Sequence, residues 1–294
     1  MPVTPARALA AAIEAFAAQV YFAPECHQAY AALGFGPSPA KAGKVEMPDG
    51  AAYFCSRGSV LGQVTGEVVA ATFAVFNPAV VVPAVSYGWT LTDAKTICQA
   101  RTDGAAQQLR RILGASPDGL GRAVELLHRA VEPLQLPGRP LFAGMVAQGL
   151  PGEPLADAWR LADQLREFRG DAHISAWTLA GFDATEIGLL SELYEGLPPR
   201  SYIRTRAWSE EQLDGAEERL VARGLIRDGA ISDAGRAARE AVEVSTDQGC
   251  AAIVAGLGDD LDELAGLVGG WSQKVVAAGG YPGSAKDMTA LTEG

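Results

Sequence analysis

The chain has 294 residues, of which 48% are hydrophobic, so it is long enough for one large or two ordinary domains with buried cores. Its formal net charge of −11 and its pI near 4.8 argue against a surface built to collect phosphates, because nucleic-acid affinity depends largely on lysine and arginine. We therefore expect a globular protein without general affinity for nucleic acid, although an acidic total leaves room for a local basic patch.

The N-terminal segment, MPVTPARALAAAIEAF, lacks the basic cluster, apolar segment and small-residue cleavage site that together define a secretory signal. We therefore expect a cytoplasmic protein. The four cysteines lie far apart and form no C-x-x-C pair, so we expect reduced thiols rather than a disulfide framework.

The first predicted element is a helix in RALAAAIEAFAAQVYF, where Leu9, Ile13, Phe16 and Val20 recur along one stripe. A similar stripe in DGLGRAVELLHRAVEPL predicts a later helix, with Ser116-Pro117-Asp118 as its cap. No alternating run is long enough to require a sheet, apart from the two arms of a wing described below. We therefore predict an all-α, or mainly α, fold.

The most apolar stretch, residues 68–85, approaches the length of a membrane span. Asn77-Pro78 and Pro83 interrupt it, and alanines dilute it. We predict two buried helices here, with Asn77 as the N-cap and Pro78 as the first residue of the second helix. We accordingly expect no membrane partner.

Proline and glycine cluster at residues 136–140 and 149–154, which is typical of loops and predicts a boundary between domains. We predict a helical domain over residues 1–150 and a winged helix-turn-helix-like domain over residues 151–250. Residues 251–294 are predicted to form a C-terminal helix and a loosely held tail.

Arg57 and Arg101 are candidates in the N-terminal half for binding an acidic group. A metal or nucleophile site built from Cys26, His27 and the other cysteines and histidines has no support in their spacing, so we predict no metal. The chain also lacks a P-loop, a dinucleotide glycine fingerprint and the common hydrolase motifs, so we predict no cofactor.

The segment WRLADQLREFRGDAHISAW, residues 159–177, concentrates ionisable side chains between apolar residues. They are Arg166, Glu167, Arg169, Asp171 and His173. We expect Gly170 to interrupt the helix, so that two helix ends point at one cavity. The alternative is structural: Asp171 would cap a helix that begins at Ala172, and the arginines would face the negative end of the preceding helix. Capping explains Glu167 and His173 less well, because neither is needed for a cap and both titrate or form hydrogen bonds usefully in a cleft.

Residues 182–247 have the layout of a winged helix: a supporting helix, a short helix and turn, a third helix at 209–223, a wing around RDGAIS and an exit helix. A third helix that reads DNA should present basic or amide side chains to the groove. Here residues 210, 211, 214, 217 and 218 are all acidic. Arg200, Arg204 and Arg206 precede this helix, and we prefer the interpretation that they pair with its acids.

The segments YFAPECHQAYAALGFG, YFCSRGSVLG, GRPLFAG, LREFRGDAHISAW, RAWSEEQLDGAEERLVARGLI and STD together resemble an actinobacterial family of helix-turn-helix-like proteins. The resemblance covers most of the chain and implies a helical N-terminal half followed by a winged-helix half. The helix-to-wing segment alone resembles the multiple-antibiotic-resistance class of regulators. The family resemblance implies motif positions at Arg166, Glu167, Arg169, Gly170, Asp171, His173, Arg206 and Trp208.

The leading hypothesis is a protein that binds a small molecule, with an acidic ligand as one option, on a winged-helix scaffold that no longer reads DNA. A cofactor-independent enzyme of specialised metabolism falls within this hypothesis. His173 would then transfer protons, Glu167 or Asp171 would orient it, and Arg57, Arg166 or Arg169 would clamp an anion.

Two alternatives stay open. One is a ligand-responsive transcription regulator that binds DNA as a homodimer through Arg200, Arg204 and Arg206. The other is an interaction module without a pocket.

Overall fold

Helices make up most of the computed structural model, which describes residues 3–43, 45–284, 287 and 291–293. The mainly α prediction is confirmed. The helices up to residue 179 are α1 (Pro5–Ala18), α2 (Pro24–Ala32), α3 (Gly50–Gly58), α4 (Gly66–Phe73), α5 (Pro78–Leu91), α6 (Ala94–Leu113), α7 (Leu120–Val131), α8 (Pro140–Gln148) and α9 (Pro154–Leu179). Those that follow are α10 (Ala184–Tyr194), α11 (Glu210–Ala222), α12 (Asp233–Gly249), α13 (Ala251–Leu257) and α14 (Leu261–Ala277). Short 3-10 helices lie at Gln19–Tyr21, Ser59–Leu61, Ile203–Arg206 and Gly258–Asp260.

The predicted stripe of α1 is buried. Thr4 caps the helix by accepting the Arg7 N–H at 3.3 Å, and Leu9, Ile13 and Phe16 pack inward against α9 and α14. Burying each such side chain stabilises the fold by about 1.5–3 kcal/mol. This packing places α1 beside the ionisable segment of α9.

The apolar stretch forms α4 and α5 as predicted, and Asn77 caps α5 by accepting the Ala79 N–H at 3.0 Å. The burial of α5 is one-sided, however, because Val81 and Val85 face the core while Val80 and Tyr87 are exposed. Among the described residues, no helix is both long and apolar enough to cross a membrane.

One predicted cap is wrong. Ser116-Pro117-Asp118 does not cap α7; the N-cap is Gly119, which makes no side-chain bond to the helix. Gly119 has a φ of 79°, a left-handed conformation that glycine adopts without strain.

Short strands lie outside the predicted wing as well. β1 (Ala40–Ala42) pairs antiparallel with β2 (Val45–Glu46) on one side and with β5 (Leu291–Glu293) on the other. Strands of two or three residues are too short for an alternating pattern to reveal them.

The expected break at Gly170 is wrong. The helix α9 runs without interruption for 26 residues, and Glu153 caps its start by accepting the Ala156 N–H at 3.0 Å. A glycine inside a helix costs only about 1 kcal/mol relative to alanine, and α9 is held on several sides by α1, α7, α8 and α12. Asp171 is therefore not an N-cap of a second helix, and Arg166 and Arg169 do not lie at a helix end.

The winged helix is confirmed between α10 and α12. Capping boxes start both α10, through Asp183 and Glu186, and α11, through Ser209 and Gln212. The wing pairs β3 (Ile226–Arg227) with β4 (Ala230–Ile231). Its two turn residues, 228 and 229, have φ values of 53° and 72°, as the tightest hairpins require.

Two hydrophobic clusters share α9. The first contains buried residues from 6 to 172 together with Cys250 and buried residues of α13 and α14, and the second contains buried residues from 177 to 242. The predicted division at residues 150 and 250 stays a prediction. What the packing defines is a seam between the N-terminal helices and the winged helix, with α9 running through both clusters.

Candidate ligand-binding cleft

A cavity of about 410 Å³ lies along this seam, between α1, α9 and α12. We call it the polar cavity, because many ionisable side chains belong to its lining together with apolar residues. These are Glu14, Arg57, Arg166, Glu167, Arg169, His173 and Glu243. Most of the site residues proposed from the sequence therefore lie around one cavity.

A second cavity of about 960 Å³ adjoins the first. Ala11, Glu14 and Arg166 belong to the linings of both, so the two cavities adjoin at these residues, and we refer to them together as the cleft. We call this part the aromatic cavity, because its lining includes Tyr21, Phe22, Tyr53, Phe54, Phe76, Tyr202 and Tyr281. Arg206, another residue singled out from the sequence, also lines it.

Glu167 is the electrostatic centre of the polar cavity. Its carboxylate accepts two bonds from Arg57, at 2.9 and 2.7 Å, one from Arg166 at 3.0 Å and one from the Tyr21 hydroxyl at 3.2 Å. Burial alone would raise the pKa of Glu167, but Arg57 and Arg166 outweigh it and hold that pKa at about 2. Glu167 is thus a permanent anion that fixes two arginines.

Arg166 stands where the two cavities meet. Its Nε donates to the Glu14 carboxylate at 3.1 and 3.2 Å, while its Nη1 donates to Glu167. Its guanidinium also lies 5.4 Å from the centre of the Tyr21 ring. Two carboxylates therefore balance Arg166 and hold it in one geometry.

His173 lies on the α12 side of the polar cavity. Its Nδ1 is 3.1 Å from the Thr246 hydroxyl and 3.8 Å from Glu243, instead of being paired with Glu167 or Asp171 as expected. Burial, followed by the positive charges of Arg239 and Arg169, lowers the pKa of His173 to about 4, although Glu243 opposes this shift. The imidazole is therefore neutral near pH 7.

Arg169 also belongs to the α12 side. It donates to Glu243 at 2.6 Å and to Asp247 at 2.9 Å, and Arg7 of α1 reaches the same Asp247 at 2.7 Å. This network joins α1, α9 and α12 and closes one wall of the polar cavity.

Arg101 lies in neither cavity lining. It is fully buried in the N-terminal core, where it donates to Asp163 at 2.7 Å and to the Tyr21 hydroxyl at 3.4 Å. Losing one partner of a buried pair leaves an uncompensated charge and typically costs 3–5 kcal/mol, an order-of-magnitude figure. Arg101 thus helps to hold the Tyr21 hydroxyl in place from within the core.

Asp171 is likewise absent from both linings. It lies on the face of α9 that meets α8, and its Oδ2 accepts the Phe142 N–H at 3.1 Å in the first turn of that helix. Its Oδ1 has no hydrogen-bond partner among the described residues. Burial raises the pKa of Asp171 to about 6. The carboxyl group therefore caps a helix other than the one that was expected.

Acids of α11 hold Arg200 and Arg204, as preferred from the sequence, but the same expectation is wrong for Arg206. Arg200 forms ion pairs with Glu210 at 3.0 Å, Asp214 at 2.7 Å and Glu217 at 2.6 Å, and Arg204 lies 3.7 Å from Glu210. Arg206 behaves differently. Its guanidinium lies 4.6 Å from the ring centres of both Phe76 and Tyr202.

The start of α11 is fastened to the N-terminal half. The Asn77 backbone N–H donates to the carbonyl oxygen of Arg206 at 3.0 Å, and its side-chain amide donates to Ala207 at 2.9 Å and to Gln212 at 3.3 Å. Trp208 adds a bond from its indole to the carbonyl oxygen of Val75 at 2.9 Å. Trp208 therefore acts as a tether and does not line the cleft.

Sequence reasoning missed the residues that meet the predicted site from distant elements, namely Glu14, Tyr21, Glu243 and Thr246. Each belongs to an ordinary helical pattern and carries no local motif. Only the packing of α1 and α12 against α9 brings them to the cleft. In the described part of the chain, no group of three histidine, cysteine, aspartate or glutamate side chains is placed to hold a metal ion.

A family model described as a helix-turn-helix family matches residues 6–282. Comparisons with curated proteins and with solved structures give no significant match. The matched range includes the N-terminal helices as well as the winged helix. The chain therefore belongs to this helix-turn-helix family.

Proposed function

We propose that the cleft binds a small molecule and that the winged helix serves as one of its walls instead of reading DNA. The observation that carries the proposal is the convergence of Arg57, Arg166, Glu167, Arg169 and His173 on one cavity. These side chains come from α3 and from about two turns of α9. Ion pairs with a purely structural role on the surface would not be expected to line a common cavity.

The size and lining of each cavity, about 410 and 960 Å³, support the same function. Small-molecule sites are typically concave spaces of about 300–1,000 Å³, mostly apolar, with a few fixed polar groups. The aromatic cavity supplies the apolar surface, and the Glu167 network supplies polar groups whose positions are already determined. Such preorganisation lowers the entropy lost on binding.

The contacts of α11 argue against groove reading. The N-terminal residues of a recognition helix normally meet the base edges, but here Asn77 and Val75 occupy that end of α11. The exposed acids Glu210, Glu211 and Glu218 would also face phosphates. The resemblance to the multiple-antibiotic-resistance regulators therefore implies a similar shape and does not imply DNA reading.

A reaction without a cofactor falls within the same proposal. His173 would accept a proton, since its imidazole is neutral, and Thr246 and Glu243 would orient the ring. Its lowered pKa makes His173 a weak base, so we propose binding as the main function of the cleft and proton transfer as secondary. We leave Asp171 and Arg101 outside the proposed site and assign them structural roles.

The test is native mass spectrometry of the purified chain, followed by identification of any small molecule released on denaturation. Ala11 is exposed and lines both cavities, so Ala11→Trp should fill their junction with little effect on folding. Ala8, one helical turn earlier, is exposed and lines neither cavity, so Ala8→Trp is the matched control. We expect bound mass in the wild type and in Ala8→Trp, and its loss in Ala11→Trp. Equal occupancy in all three proteins would contradict a ligand in the cleft.

A further inference from the structure

Arg206 differs from the other arginines of the cleft in its partners. Arg57, Arg166 and Arg169 are each within ion-pair distance of a carboxylate. Arg206 has no carboxylate within ion-pair distance among the described residues, and its hydrogen bond goes to the Tyr202 hydroxyl. A guanidinium that lines a cavity without an ion-pair partner keeps N–H donors available for an anionic ligand.

The backbone around Arg206 is fixed from two sides. Glu192 accepts the N–H groups of Arg200 at 2.9 Å, of Ile203 at 2.5 Å and also of Tyr202, which anchors the 3-10 helix Ile203–Arg206 on α10. From the other side, the Asn77 N–H bonds the Arg206 carbonyl oxygen at 3.0 Å. The arginine is therefore held in place before any ligand arrives.

Stacking orients the guanidinium itself. It lies 4.6 Å from the ring centres of Phe76 and Tyr202, and the side chain is only partly exposed. Contact with aromatic faces desolvates the cation without neutralising it. An anion that reaches Arg206 would consequently gain a charge-assisted hydrogen bond in a partly dry environment.

The acidic groups of the aromatic cavity already have partners in the protein or are exposed to solvent. Glu14 is paired with Arg166 and receives the Tyr281 hydroxyl, and the Glu192 carboxylate is occupied by backbone N–H groups. Glu195 is exposed at the edge of the lining. Arg206 is therefore the charged group best placed to select a ligand.

The rest of the lining selects for flat apolar groups. Tyr53 lies within aromatic contact of Tyr21, Phe54 and Phe76, with ring centres 5.2, 5.4 and 5.6 Å apart, and Phe54 lies 5.1 Å from Phe76. Aromatic side chains bind other rings in stacked or edge-to-face arrangements. Phe76 links this cluster to Arg206, because its ring contacts Tyr53, Phe54 and the Arg206 guanidinium.

We propose that the aromatic cavity binds an aromatic anion, with its ring system against Tyr53, Phe54 and Phe76 and its acidic group on Arg206. This inference rests on the proposed function and names the chemical class of its ligand. It also assigns Arg206 the role of the specificity-determining residue, because a neutral aromatic molecule would use the same rings without the arginine.

A pair of fluorescent probes that differ in one charged group tests this assignment. 8-Anilinonaphthalene-1-sulfonate carries a sulfonate, and N-phenyl-1-naphthylamine has the same ring system without it. We expect Arg206→Gln to weaken binding of the sulfonate about tenfold or more while changing the affinity for the neutral probe less than about twofold. Arg204→Gln is the matched control, since Arg204 is exposed two residues away and lines neither cavity; it should change neither affinity.

The outcomes separate this inference from the proposed function. Saturable binding of both probes, with Arg206→Gln affecting both equally or neither, would overturn the anion-binding role of Arg206 and leave a small-molecule cleft intact. Failure of the wild type to bind either probe saturably would count against the cleft itself. Circular dichroism of each variant confirms that the affinities are compared between folded proteins.

Discussion

The indole of Trp208 donates to the carbonyl oxygen of Val75 at 2.9 Å and thereby ties the start of α11 to the loop between α4 and α5. Ala74, which precedes Val75, and Ala207, which precedes Trp208, have φ values of 57° and 60°. Positive φ is uncommon for residues other than glycine, and such a conformation persists only where its surroundings enforce it. The tether therefore holds two strained segments together.

Removing the tether should loosen the winged helix locally. Trp208→Phe keeps an aromatic ring but leaves the Val75 carbonyl without its donor, which should lower the free energy of unfolding by about 1–3 kcal/mol. Hydrogen-exchange mass spectrometry should show faster exchange at residues 207–213 than in the wild type.

Trp89→Phe is the control for this prediction. Trp89 donates its indole to the carbonyl oxygen of Val64 at 2.7 Å, so its replacement removes the same kind of bond within the N-terminal half. It should destabilise the protein without accelerating exchange at residues 207–213. Unchanged exchange there in Trp208→Phe would show that Asn77 alone holds the start of α11.

The absence of groove reading can be measured directly. Fluorescence anisotropy with labelled genomic fragments should show no binding at physiological ionic strength, because carboxylates surround Arg200 and the start of α11 is covered. Replacing Glu210, Glu211 and Glu218 by glutamine reduces the repulsion but leaves the cover in place, so this variant should also fail to bind. Affinity in the wild type that falls steeply with salt would instead support a regulator.

Local sequence patterns predicted the elements well and the site in part. The stripe in α1, the Asn77-Pro78 start of α5 and the winged-helix order are all local signals, and each is confirmed. The charged residues of α9 were found because their density in an apolar setting is unusual. What they contact depended on α1 and α12, which are distant in sequence, so Tyr21 and Glu243 went unrecognised.

The failure at Gly170 has a definite physical cause. A helix-breaking propensity of about 1 kcal/mol is small beside the burial of α9 against its neighbours, and sequence alone does not reveal that burial. Because α9 continues, residues 167 and 171 share one side of the helix and residues 166, 169 and 173 another. Asp171 is thereby directed to α8, and His173 to α12.

The protonation of His173 provides a test of the polar cavity. Its pKa of about 4 means that the imidazole should stay neutral until the pH falls well below 6.5, whereas an exposed histidine titrates near 6.5. The chain has three histidines, so the NMR signal of the His173 ring is assigned by its disappearance in His173→Gln. A titration midpoint at or above 6 would show that the cavity is wetter, or more acidic, than its geometry indicates.

Asp171 should make the stability of the protein depend on pH in an unusual direction. Burial raises its pKa in the folded protein to about 6, above the ordinary value of 3.8, so folding favours the protonated form. The stabilisation is then complete below about pH 4 and is lost as the pH rises through 6. Asp171→Asn cannot ionise, so its free energy of unfolding should rise relative to the wild type over this interval, by up to about 3 kcal/mol. Urea unfolding at a series of pH values measures the difference.

A second helix-capping aspartate gives a control with the opposite sign. Burial tends to raise the pKa of Asp183, but its bonds to Thr185 and Glu186 and the charge of Arg219 outweigh burial and lower it. The wild type should therefore gain stability relative to Asp183→Asn as the pH rises from below the lowered pKa to the ordinary value of 3.8, and should keep this gain at higher pH. Parallel trends in the two variants would mean that folding favours the ionised form of Asp171, which would contradict the pKa rise caused by burial. Opposite trends would instead support burial of the Asp171 carboxyl in the folded protein.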